Sequence, residues 1–180
     1  MVFFINTLEK LAQQLTVFDN SVEMRAALLL VADESHPKAS DLNPLLRAVS
    51  KPIIGGVFPE LIVQGERKTK GMLLVPLDFE LNTELMPLGS DAQVLEQILR
   101  GGFATEMTEA QSVLVFMDAL GHEKGALCAA LYNYFGPNVS YLGGGCGSLS
   151  FEPMSCVIHN QGLVSGHAVV AAARRSIAIG

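Results

Sequence analysis

Ala26-Ala27-Leu28-Leu29-Leu30-Val31-Ala32 is apolar at every position. A strand with one solvated face alternates apolar and polar residues. An unbroken apolar run of strand length suits a strand covered on both faces, as in a layered α/β domain. Asp33-Glu34-Ser35 ends the run. A helix follows from about Ser40, with Leu42, Leu45, Leu46 and Val49 on one face, and Lys51-Pro52 stops it. Ile53-Ile54 reads as a short buried strand running into Gly55-Gly56. Leu61 to Gln64 and Lys70 to Leu77 read as a hairpin around Gly65. Upstream, Asn6 and Glu9 have capping-box spacing, and Leu8, Leu11, Ala12 and Leu15 follow a helical period. Together they predict an amphipathic helix over 7–17.

The same order then recurs. A connecting helix over about 90–100 is capped by Ser90, with Gln93 completing its capping box, and Gly101-Gly102 end it. Ser112 to Met117 is an apolar strand ending in Asp118. A helix from Glu123 to Phe135 carries Leu127, Leu131 and Phe135 on one stripe. Val139 to Leu142 is a strand running into Gly143-Gly144-Gly145-Cys146-Gly147. Ser155 to His159 and Leu163 to Ala172 form a hairpin around Asn160-Gln161-Gly162, and a strand is expected over Arg174 to Ile179. Asp33 matches Asp118, Gly55-Gly56 matches Gly143-Gly144, and Gly71 matches Gly166. The expected fold is therefore α/β, one domain over 1–180. Its mixed sheet is covered by helices and built from two similar strand-helix-strand-hairpin repeats, about 22–83 and about 108–180.

Composition narrows the function. Hydrophobic residues make up 49% of the 180 residues, enough to offset the entropy of ordering a core. The net charge of -6, without a cluster of Lys and Arg, argues against nucleic acid as a partner. The apolar runs are of strand length, so no membrane span is expected. Met1-Val2-Phe3-Phe4-Ile5 lacks a basic flank and a cleavage site. The three cysteines, Cys128, Cys146 and Cys156, then read as reduced thiols in a cytoplasmic protein.

The glycine run invites a chemical reading. Gly143 to Gly147 allow close approach of a ligand to the backbone, and successive N–H groups there can form an anion site; tight strand packing is the other reading. The run is neither a phosphate loop nor a dinucleotide fingerprint, so no cofactor is expected. Asp118 ends a buried strand, where ligands bind in parallel sheets, and can share a crevice with the glycines; a capping role is its alternative. Cys156 and His159 have no metal-ligand spacing, and Cys128 reads as a small hydrophobe, core or surface filler, so no metal site is expected. Cys146 would serve as a hydrolytic nucleophile only if backbone N–H groups lowered its pKa and His122 or His167 stood beside it as base.

Val113 to Leu120, Val139 to Gly147 and Ile158 to Val170 resemble the strand-then-Asp, glycine and hairpin segments of FIST N-terminal domains. Pro52 to Gly56 resembles their earlier glycine segment. The resemblance spans roughly Ala26 to Gly180. Ala119 departs from it, since the family often has Gly after the Asp. The resemblance implies a non-enzymatic sensory module of a signal-transduction protein, binding a small molecule such as an amino acid. The expected ligand residues are Asp118, Gly143, Gly144, Gly145, Cys146 and Gly147, with Asp118 taking an ammonium and the glycine N–H groups a carboxylate. A C-terminal FIST half, absent here, would normally follow. That half, a signalling domain or a second copy of the chain are the expected partners; a hydrolase and an interaction scaffold are the alternative functions.

Overall fold

The computed structural model describes residues 2–103 and 109–177. The all-apolar run becomes β2 (Ala26–Ala32), the second strand inward in a six-stranded sheet. Beside it in parallel lies β3 (Ile53–Phe58), and antiparallel on its other edge lies β6 (Met72–Leu77). β1 (Phe3–Ile5) borders β6, and β10 (Val157–His159) with β11 (Gly162–Val164) borders β3. A four-stranded sheet has the order β7 (Asn82–Pro87), β12 (His167–Ala173), β8 (Ser112–Asp118), β9 (Ser140–Cys146). There β8 and β9 are parallel and β12 is antiparallel to both its neighbours. A two-stranded hairpin, β4 (Leu61–Val63) and β5 (Glu66–Lys68), stands apart from both sheets.

The two sheets pack face to face between two helical layers. α1 (Leu8–Asn20) and α2 (Ala39–Arg47) bury Leu11, Leu15, Phe18, Leu42 and Leu46 in one core with the six-stranded sheet. That core extends to Leu114, Phe116, Val169 and Ala171 of the other sheet. Alternate residues of the same strands, Val113, Val115, Ala168 and Val170, turn the other way. They meet Leu95, Leu99, Leu127 and Leu131 of α3 (Ala92–Gly102) and α4 (Lys124–Phe135). The period-2 alternation of strands divides β8 and β12 between two cores, which is why these strands are apolar throughout. Each such leucine, fully buried, contributes about 1.5–3 kcal/mol. Between the sheets, Phe58 and Phe116 meet edge to face with centroids 6.0 Å apart.

Several local expectations change. Thr7, not Asn6, caps α1, its hydroxyl accepting from Lys10 N, and Asp91, not Ser90, caps α3, accepting from Val94 N. In each case the side-chain oxygen one residue further along is the one that accepts from a free N–H of the first turn. Gly55-Gly56 and Gly143 to Cys146 lie inside strands, because β3 and β9 continue through them to Phe58 and Cys146, and Gly147 follows the end of β9. The hairpins are tighter than expected: β4 turns back on Glu66–Lys68 and β10 on Gly162–Val164. β6 and β12, free of them, pair as inner strands within the larger sheets. Strand β7 was not anticipated. Arg174 to Ile177 form no strand, and the rest of that expected strand lies outside the described residues.

His159 is 8% exposed. Gln161 N donates to its Nδ1 at 3.4 Å, which leaves the neutral ring's proton on Nε2, 3.3 Å from Thr83 Oγ1. Burial holds its pKa below the usual 6.5. In the unfolded chain His159 takes up a proton as pH falls through 6.5, while the folded chain resists. The unfolded state then binds more protons, and stability declines with falling pH. The urea midpoint is expected to drop between pH 7.5 and 5.5, and His159→Gln should flatten that drop. An equal drop in both proteins would remove His159 as its cause.

Candidate functional site

Gly143 to Cys146 lie in β9, at the edge of the four-stranded sheet. Gly143 has φ +140° and stands opposite Val115 in the parallel ladder; a Cβ there would lie 1.8 Å from the Val115 carbonyl oxygen. Gly55 repeats the arrangement in the other sheet, with φ +154° and a virtual Cβ 2.0 Å from the Leu29 carbonyl oxygen. Only glycine permits that approach. Further along, the chain leaves its sheet. Ala119 N donates to Cys146 O, and Gly147 N donates to Val57 O of β3 in the opposite sheet. Gly147, at φ +149°, is the crossing point between the two sheets.

This placement separates the residues expected to act together. The Asp118 carboxylate is 7% exposed and accepts from Leu120 N at 2.9 Å and Gly166 N at 2.8 Å. Both its oxygens hold backbone turns. Cys146 is fully buried between the sheets, against the position where a Cβ on Gly56 would sit. Burial pushes its thiol pKa up, and Cys156 and Asp118 nearby push it further. That is opposite in sign to the lowered pKa an activated nucleophile requires. Cys156 donates to Cys146 O at 3.5 Å, and burial with the neighbouring Asp118 raises its pKa to about 12. His122 is exposed, and His167 Nδ1 lies 2.6 Å from Ser165 O. Among the described residues no group of three His, Cys, Asp or Glu side chains could hold a metal ion.

On the helix side of β9 lies an open cavity of about 340 Å³. Val115, Met117, Tyr141, Leu142, Gly143 and Gly144 form its floor, and Cys128, Leu131 and Tyr132 of α4 its roof. Of the residues expected at a ligand, Gly143 and Gly144 line it, while Asp118, Gly145, Cys146 and Gly147 do not. The bare Gly143 backbone keeps the floor low beneath α4. The Tyr141 hydroxyl lies 2.9 Å from Gly136 O and 3.2 Å from Leu131 O and so anchors β9 to the end of α4 with its single proton. Cys128 is exposed on the flank of the helix. α4 has almost no polar face, since Gly125-Ala126-Leu127-Cys128-Ala129-Ala130-Leu131-Tyr132 carries no charge. An apolar helix with one side uncovered was the available signal for this cavity. Among the described residues no helix is long and apolar enough to cross a membrane.

The model of the FIST N domain family matches residues 6–180. No curated protein matches the chain.

Proposed function

Because the chain belongs to the FIST N domain family, we propose that it is a sensory, ligand-binding domain, its small ligand held between α4 and β9. The observation that carries this reading is the cavity of about 340 Å³ at Gly143 and Gly144, apolar apart from a few polar edges. Pockets for small molecules have this character, a mostly apolar wall with sparse polar anchors. An amino acid with an aliphatic or aromatic side chain is the ligand class tested first, its side chain against Val115 and Met117. The module works in the cytoplasm, coupled to a C-terminal FIST half or a signalling domain.

Cys128→Phe is the test, because Cys128 is exposed, lines the roof and tolerates a larger side chain without disturbing the core. In a thermal-shift screen of the twenty amino acids, a ligand at a hundred times its Kd adds about 2.7 kcal/mol of stability. Cys128→Phe is expected to keep the fold and abolish that shift. A shift that survives it unchanged would move the ligand elsewhere.

The two halves of the chain are, in this reading, copies of one unit, β1 to β6 and β7 to β12. The matching strand orders β1-β6-β2-β3 and β7-β12-β8-β9 support it. So does the shared register of Gly55 on Leu29 and Gly143 on Val115. The boundaries become Phe3 to Leu77 and Asn82 to Ala173. α3 is then the counterpart of α1 and no longer a connector.

A further inference from the structure

β3 and β9 occupy corresponding places, but only one of them is covered. Each is the parallel partner of a buried strand, and each carries a positive-φ glycine opposite it. The far edge of β3 pairs antiparallel with β10, Ile158 opposite Gly55. The hairpin is held there by Asn160, whose Oδ1 accepts from Ile53 N and whose Nδ2 donates to Lys51 O. β9 ends its sheet, with no strand on its far edge among the described residues. The chain's other hairpin does not reach it: only Pro59 and Glu60 separate β4 from β3, whereas residues 147–156 let β10 cross to the opposite sheet.

The surface around β9 fits one kind of occupant. From Gly125 to Phe151 no residue is charged, in a chain where 17% are. Solvent-facing edge strands are ordinarily guarded by lysine, proline or a bulge. Ser140–Cys146 has no charge and no proline, and three of its residues are glycine. Beside it Tyr132 is 56% exposed and Tyr141 38%. A net charge of -6 opposes self-association over most of the surface, but not across this neutral face. A strand paired with itself about a two-fold axis is antiparallel by symmetry, which is the orientation of β10 on β3.

We infer that β9 pairs with β9 of a second copy of this chain, joining two four-stranded sheets into one. The inference rests on the two-copy reading of the halves, and not on the identity of any ligand. In the dimer the second α4 closes the mouth of the cavity, so each site is completed by the partner copy.

Sedimentation velocity of the whole chain, without ligand, across a hundredfold range of concentration is the test. A concentration-dependent dimer is expected. Hydrogen exchange should show the outer β9 amides protected in the dimer and fast in the dilute monomer. Tyr132→Lys and Tyr132→Glu, each on an exposed site, should be monomeric alone, and their equimolar mixture should regain the dimer. A monomer at every concentration overturns the inference. So does a dimer with unprotected β9 amides, or one indifferent to Tyr132, since its interface would lie elsewhere. None of these outcomes depends on a thermal shift by amino acids, so the ligand reading stands or falls separately.

Discussion

Gly143→Ala is expected to prevent the chain from reaching its native fold, and Gly55→Ala to do the same. The added Cβ would lie 1.8 Å from Val115 O in one case and 2.0 Å from Leu29 O in the other. These are backbone atoms of the central strand, so no side-chain rotation relieves the clash. Relief requires opening the β8–β9 or the β2–β3 ladder. The φ values, +140° and +154°, add strain that L side chains do not tolerate. Overpacking and backbone strain each cost about 1–3 kcal/mol, and together they approach the 5–15 kcal/mol that holds a domain folded. Circular dichroism and a urea titration would measure it. Gly125→Ala is the control: Gly125 sits in α4 with open space around it, so the change should be neutral or stabilise by up to about 1 kcal/mol. Native stability in Gly143→Ala would show that the ladder yields there. A large loss at one glycine only would count against the two halves being copies.

The second large effect belongs to Asp118. Asp118→Ala leaves the N–H groups of Leu120 and Gly166 without their acceptor in a largely buried position. Each such loss costs about 1–3 kcal/mol, giving a destabilisation of about 2–6 kcal/mol. Gly166, at φ +65°, forms the turn into β12, so that strand's entry loosens as well. Asp118→Asn keeps one acceptor and should fall between wild type and Asp118→Ala. Urea midpoints of the three proteins, with amino-acid binding measured on each, separate structure from recognition. Normal stability with lost binding would return Asp118 to the ligand site. Lost stability, with binding retained in the folded fraction of Asp118→Asn, would leave it as the latch of two turns.

The sequence by itself determined the layered α/β class. An all-apolar run such as Ala26–Ala32 has no stable place except between two covered faces, and that constraint is local. The stripes on α1, α2 and α3 were legible for the same reason: burial of one face imposes a period on neighbouring residues. The family resemblance was legible too, carried by strand ends and glycines that recur in order. Pairing was not legible, because hydrogen-bond partners distant in sequence leave no local period. β6 and β12 have the sequence pattern of hairpin arms but are inner strands of separate sheets; β7, half exposed and polar, leaves no apolar run. The cavity divides along the same line. Gly143 and Gly144, which line it, stand out in the sequence because glycine repetition is itself a signal. The separation of Asp118 and Cys146 from the cavity was decided only in three dimensions. The pleat sends Asp118 and Cys146 to one face of the sheet, and α4 lies on the other, over Val115 and Gly143.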